Sequence, residues 1–222
     1  MINLPQTIKA VIMDVDGTLL DSLSVWADAD REFLAKRNIA YDPQASQALK
    51  SLHFVSASQY LIDYYSLTDS LETVCGEIAD IVRQRYFHEI PLKEGVLEFI
   101  EQCRRNDICL CAATSNSREL AEGALSANGI INSLRFVITS DEVGSDKSSP
   151  DIFLKCAERL GAGISQTAVF EDSRHAAYTA KEAGFYVVGV NNGDSGDFSK
   201  LSEYADFCID SFSELCKENS VV

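Results

Sequence analysis

The sequence has no basic cluster. Its 19 lysines and arginines stand against 34 aspartates and glutamates, a formal net charge of -15. Most of such a surface repels a phosphate backbone, which argues against nucleic acid as the primary partner. No apolar run approaches the roughly 20 residues of a membrane helix, and the opening MINLPQTIKAVIMD meets an acid too early for a secretory leader, so no membrane association is expected. The seven cysteines, at 75, 103, 109, 111, 156, 208 and 216, include no CxxC pair, so neither a thiol redox site nor a four-thiolate zinc site is signalled. Their odd number and the apolar setting of Cys109 and Cys111 fit buried free thiols in a reducing compartment, and the cytoplasm is the expected address. Repeats and low-complexity tracts are absent too.

What is present is an alternation. Short apolar runs rich in β-branched residues, Ile8 to Met13, Ile108 to Ala113, Phe136 to Thr139, Thr167 to Phe170 and Tyr186 to Val190, read as buried strands. Helical patterns separate them: Gly95 to Asn106, Glu119 to Asn128, Pro150 to Leu160 and His175 to Ala183. Gly129, Gly161 and Gly184 stand where left-handed caps end helices. Strands alternating with helices predict an α/β fold, a parallel sheet with helices on both faces and ligands beyond the carboxyl ends of the strands.

Residues 22–90 break this rhythm with helical periodicity and no clear strand. They predict an all-helical domain inserted after the first strand, leaving residues 1–21 and 91–222 as the core. Its hinges fall near Asp21 to Ser24 and near Glu89 to Lys93, where Pro91 discourages a continuous helix. Such an insertion is placed as a lid over a strand-end site.

The first strand delivers Asp14 and Asp16 in VIMDVDGTLLDS. Residues at i and i+2 of an extended segment project to one side, Gly17 allows the turn, and Thr18 adds a hydroxyl that can fix the loop or an acid. An ordinary Asp/Gly turn is the bland reading, but it leaves two crowded acids at a buried strand tip without a role. The second strand ends in Thr114, Ser115 and Asn116, groups that cradle an anion or simply cap a helix. Lys147 follows the third strand, and Glu171 and Asp172 end the fourth. Several acids around one lysine are costly to bury unless a hard divalent cation joins them, and magnesium suits oxygen ligands and a phosphate better than zinc does. The chemistry indicated is in-line attack of Asp14 on phosphorus, with Asp16 protonating the leaving oxygen and then activating water, and Lys147 neutralising both phosphate and nucleophile.

In the order DVDGTLLDS, ATSNS, DKSSPDIF and FEDS, these segments resemble the haloacid dehalogenase-like hydrolase superfamily, in the helical-cap branch that includes β-phosphoglucomutase-like phosphatases. The resemblance covers nearly the whole chain. It implies a Rossmann-like core with an inserted all-helical cap, and a magnesium-dependent phosphatase acting on a small phosphorylated metabolite through an aspartyl-phosphate on Asp14. It places Mg²⁺ on the Asp14 carboxylate, the Asp16 backbone carbonyl and Asp172, with Glu171 in support. It assigns phosphate binding to Thr114 and Lys147, with Ser115 and Asn116 as further contacts.

The departures are informative. Where β-phosphoglucomutases carry an assisting histidine in the first cap helix, this chain has Trp26. At the cap segment of the form KGxxR, LKSLHF puts Ser51 at the glycine and Phe54 at the arginine. Without that arginine a bisphosphate loses its clamp, which disfavours sugar-phosphate mutase activity but leaves it as an alternative beside a non-catalytic phosphometabolite-binding protein. Substrate choice falls to the cap, with Trp26, His53, Phe54 and Tyr60 as an aromatic wall or as simple cap core, and Lys50 as a contact to a second anionic group. Arg174 and His175 are a bulky pair beside the metal loop, with His175 read as a satisfied helix-start residue rather than a contact to substrate or cap. A monomer is expected.

Overall fold

Ala10 to Met13 are apolar at every position, a pattern that only a strand covered on both faces can satisfy. They form β1 (Ala10–Met13), fully buried. Around it lie β2 (Cys109–Thr114), β3 (Val137–Thr139), β4 (Thr167–Glu171), β5 (Tyr186–Val190) and β6 (Phe207–Ile209), in the order β3-β2-β1-β4-β5-β6. Every pairing is parallel, with Met13 in register with Ala112 on one side and Phe170 on the other. The structure, a computed structural model, describes residues 4–49, 52–193 and 195–216.

The helices of the first stretch are α1 (Val25–Ala35), α2 (Pro43–Leu49), α3 (Phe54–Tyr65) and α4 (Leu71–His88). After them come α5 (Val96–Arg105), α6 (Arg118–Ala127), α7 (Ser140–Val143) and α8 (Asp151–Leu160). The last are α9 (Arg174–Glu182), α10 (Ser195–Leu201) and α11 (Ser213–Cys216). Both faces of the sheet are covered, as the alternation predicts. Ile12, Cys111, Val169 and Val187 pack with Ile152 and Phe153 of α8, Ala176 and Ala177 of α9 and Leu201 of α10. One residue further along β4, Phe170 points to the other face, where its ring centroid lies 5.0 Å from Phe99 of α5 and 5.6 Å from Phe212. Burying each of the Ile, Val, Leu and Phe side chains among them contributes on the order of 2–3 kcal/mol, which makes the two-sided sheet the stable scaffold.

The expected helix ends are present: Gly129, Gly161 and Gly184 all take positive φ. The sixth strand is an addition to the five read from sequence. β6 has only three residues, Phe207 to Ile209 between Asp206 and Asp210, and lies at the sheet edge with Phe207 exposed, so its apolar run is too short to mark a buried strand.

The chain divides into two compact units, Met1–Leu23 with Ile90–Val222, and Ser24–Glu89. In the first, the outgoing and returning segments lie side by side. Leu20 and Leu92 form an antiparallel bridge, flanked by the Asp21 N–H donating to the Pro91 carbonyl at 3.0 Å and the Lys93 N–H donating to the Leu19 carbonyl at 2.9 Å. Asp21 thus belongs to this paired exit. It does not cap a helix, because α1 opens at Ser24.

Helices are the only regular secondary structure among the described residues of the second unit. Phe33, Leu34, Leu61, Val74, Ile78 and Tyr86 form its buried centre. Arg37 stacks 3.9 Å from the Phe33 ring and forms ion pairs at 2.8 Å with Asp69 and with Glu77. Asp30 of α1 is 9% exposed, and burial pushes its carboxyl up from 3.8 to about 6, against a smaller opposing pull from Arg31. Because the folded state holds the proton more tightly, stability is full below pH about 4 and is lost as pH rises through the folded value, at up to about 1.4 kcal/mol per pH unit. Urea unfolding of Asp30→Asn should therefore show a stability advantage over the wild type that grows between pH 4 and 6 and then stays level. A constant difference would contradict this account.

Candidate active site

The sheet order decides which loops meet. β1 lies between β2 and β4, so the residues that follow its end face those that follow both neighbours, in the crevice where a parallel sheet binds ligands. Asp14 is the first residue past β1, and its amide donates to the Phe170 carbonyl at 3.0 Å. Thr114 ends β2, Glu171 ends β4, and Lys147 comes from the loop between α7 and α8.

Lys147 is 3% exposed and its ammonium donates to Asp14 Oδ1 and, at 2.6 Å, to Glu171 Oε1. Burial alone would lower its pKa, but the attraction of Asp14 and Glu171 holds it above its ordinary value. Glu171 is fully committed: its Oε2 accepts from the amides of Asp172 at 3.0 Å and Ser173 at 3.1 Å. Burial raises its pKa, and Lys147 counteracts. Asp172 sits between two neutral donors, the Asn192 amide at 3.0 Å and the Thr18 hydroxyl at 3.5 Å. Burial and then the charge of Asp14 push it up to about 6.

Asp14 differs from these. Its Oδ2 is buried with no hydrogen-bond partner. Burial, followed by repulsion from Glu171, raises its carboxyl to about 7 in spite of Lys147. Oxygens of Asp14, Glu171 and Asp172 all lie within 4.8 Å of one another. An all-oxygen, buried and acid-rich set with one unsatisfied carboxylate oxygen suits a hard divalent cation, which would favour the ionised form of both aspartates. Both Glu171 oxygens are taken by Lys147 and the loop amides and both Asp172 oxygens by neutral donors, so of the three acids only Asp14 presents a buried oxygen without a partner.

Asp16 is held from two sides, by the Ser22 hydroxyl at 2.7 Å on Oδ1 and the Asn116 amide at 3.0 Å on Oδ2. Asn116, expected as a phosphate contact, thus also tethers the second aspartate, while its Oδ1 accepts from the Ser117 amide at 2.8 Å. The Thr114 hydroxyl accepts from the Asn116 amide at 2.9 Å, leaving its own proton to donate. Ser115 is exposed, with its hydroxyl 3.3 Å from that of Ser140.

Among the cap residues, Trp26 and Phe54 meet with ring centroids 5.2 Å apart, and His53 is exposed immediately before α3. Tyr60 stacks on Tyr64 at 5.4 Å. Lys50 and Ser51 lie outside the described residues. His175 stands in the first turn of α9 with Nδ1 2.7 Å from the Ser173 hydroxyl, a local helix-start contact. Sequence reading missed Ser22, Asn192 and Lys93, whose ammonium donates to the Asn191 carbonyl beside Asn192. Ser22 closes the DVDGTLLDS segment, but all three are common residue types, and only the folded register shows what they hold.

Gly17 explains itself here. It has φ +84°, and a Cβ at this position would fall 2.2 Å from Asp172 Oδ2. Gly17→Ala is expected to lower stability by roughly 1–3 kcal/mol in urea unfolding and to displace the Asp172 carboxylate in a crystal structure. An unshifted carboxylate with unchanged stability would contradict the close approach.

The comparisons with known proteins agree with this geometry. The family model described as haloacid dehalogenase-like hydrolase matches residues 11–190. The chain is 27% identical over 209 residues to the validoxylamine A 7'-phosphate phosphatase of Streptomyces hygroscopicus subsp. limoneus, covering 93% of this chain and 95% of that one. It is 30% identical over 183 residues to the fructose-1-phosphate phosphatase YqaB of Escherichia coli K12, covering 81% and 95%. CbbY from Rhodobacter sphaeroides, solved in complex with phosphate, shares the fold with a TM-score of 0.70 at 22% identity, covering 94% and 96%. No helix among the described residues is long and apolar enough to cross a membrane. A family match that runs from inside β1 to the end of β5, joined to relatives of nearly equal length, makes this chain a member of the haloacid dehalogenase-like hydrolases.

Proposed function

We propose that the chain is a magnesium-dependent phosphatase that hydrolyses a small phosphorylated metabolite through an aspartyl-phosphate on Asp14. The observation that carries this reading is the buried, unpartnered Oδ2 of Asp14 beside Lys147 and Asp172. A carboxylate held this way lacks only an electrophile or a cation. The family assignment supplies the hydrolase class, and the two relatives named for a validoxylamine phosphate and a fructose phosphate support a carbohydrate-like monophosphate as substrate.

The residues divide the work. Thr114 donates its hydroxyl proton to a phosphoryl oxygen, with Ser115 and Asn116 at the same strand end. Lys147 balances charge on Asp14 and on the incoming phosphate. Asp14 attacks phosphorus in line as the ester oxygen departs. Asp16, held by Ser22 and Asn116, gives that oxygen a proton and later takes one from the water that attacks the aspartyl-phosphate, releasing phosphate, restoring the Asp14 carboxylate and returning Asp16 to its protonated form. Asp14, Asp172 and the Asp16 backbone carbonyl would hold Mg²⁺, which when bound offsets the repulsion between nucleophile and phosphate. The mutase alternative is weakened because an aromatic pair, Trp26 and Phe54, takes the positions at which that branch places a histidine and a distal phosphate clamp.

A panel of phosphomonoesters assayed for released phosphate tests this. Wild type with Mg²⁺ should turn over at least one ester, and chelator or Asp14→Asn should each lower the rate by about a thousandfold or more. Phosphate release that survives Asp14→Asn, or sugar isomerisation without release, would overturn the proposal.

A further inference from the structure

The two oxygens of Asp172 are held unequally. Oδ2 accepts from the Asn192 side-chain amide at 3.0 Å. The Gly17 backbone crowds the same oxygen, since a Cβ there would fall 2.2 Å from it. Oδ1 has the Thr18 hydroxyl at 3.5 Å, beyond the roughly 2.5–3.0 Å of a normal O–H···O bond. Oδ1 is therefore the oxygen that a cation can take at the smaller loss of hydrogen bonding.

The grip on Oδ2 is built to stay. Asn192 lies just past β5, and the residue before it is anchored by several bonds. The Asn191 N–H donates to the Ile209 carbonyl at 2.9 Å, and its side-chain amide donates to Asp210 Oδ1 at 2.7 Å. Its Oδ1 accepts from the Gly193 N–H at 2.9 Å, and its carbonyl accepts from the Lys93 ammonium. The loop thus presents the Asn192 amide to Asp172 from the neighbouring strand end. A neutral donor also leaves the charge of Asp172 to a cation, whereas Asp14 shares its own with Lys147.

Reserving one oxygen has a consequence for ion choice. Mg²⁺ demands a near-ideal octahedron at about 2.0–2.1 Å, while Ca²⁺ takes roughly six to eight oxygens at about 2.3–2.6 Å and readily accepts both oxygens of one carboxylate. A carboxylate that offers a single oxygen suits the smaller ion.

We propose that Asn192 is a positioning residue that reserves Oδ2, limits Asp172 to one-oxygen coordination and so favours Mg²⁺ over Ca²⁺. The proposal rests on the cation site of the phosphatase reading and adds to it the residue that selects the ion.

The test uses Mn²⁺ as a spectroscopic probe. Its binding to the full chain is followed by loss of the free-ion signal in electron paramagnetic resonance, and Mg²⁺ or Ca²⁺ is titrated in as competitor. In wild type, Mg²⁺ should displace Mn²⁺ more effectively than Ca²⁺ does. In Asn192→Ala and Asn192→Leu, the ratio of the Ca²⁺ to the Mg²⁺ dissociation constant should fall by about tenfold, the low end of what a residue supporting a metal ligand contributes to affinity. Asn192→Leu keeps the side-chain volume without the donor, and it decides the matter if the alanine variant does not fold. A ratio within about twofold of wild type, even with both ions weakened equally, is the result of a merely structural role and overturns the proposal. So does a wild type that prefers Ca²⁺ or binds none of the three ions. Phosphate release by the same proteins separates this inference from the phosphatase reading. A shifted ratio in a protein whose wild type releases no phosphate from any ester sinks the phosphatase and keeps the role of Asn192. Mg²⁺-dependent release with an unshifted ratio does the reverse.

Discussion

Lys147 is buried between Asp14 and Glu171, and the strand-end site is built around that contact. Removing one partner of a buried ion pair typically costs about 3–5 kcal/mol, so none of the three side chains is free to drift. The ammonium satisfies one oxygen of Asp14 and leaves the other buried without a partner. Glu171 is in turn fixed by two backbone amides of its own loop, which presents Asp172 toward the same point. A parallel sheet with β1 at its centre is what allows residues 133 positions apart in sequence to form this contact.

The balance of charge follows from the same geometry. Three acids stand against one lysine, and burial first, then their mutual repulsion, holds Asp14 and Asp172 nearer to protonation than free aspartates. Asp16 is handled differently, by neutral hydrogen bonds from Ser22 and Asn116, an environment that fits the proton-transfer role proposed for it. Two aspartates separated by one residue thus acquire distinct environments, one electrostatic and desolvated, the other hydrogen-bonded.

Much of this was legible in the sequence. The runs ending at Asp14, Thr114 and Glu171 announce buried parallel strands because both faces must be apolar, and a buried strand tip makes its first polar residue conspicuous. Legibility failed where the deciding residue is chemically ordinary. Asn192, Ser22 and Lys93 carry no local signal, since their roles exist only once β5 and the exit segments are in register. β6 was missed because its apolar run, Phe207 to Ile209, is only three residues long between two aspartates. Asp30 gives no hint of burial beyond its place on the apolar side of α1. Arg174 stood out as bulky beside the metal loop, but its aromatic partner Tyr204 is 30 residues away and belongs to no motif.

The central claim is that Asp14 becomes covalently phosphorylated during turnover. Mixing the protein with a labelled substrate and Mg²⁺, quenching in acid within milliseconds and mapping the label by mass spectrometry tests it directly. The account predicts a phosphoryl group on the peptide that carries Asp14, appearing and decaying at the rate of turnover. Phosphate released at the same rate with no label on Asp14 would contradict it.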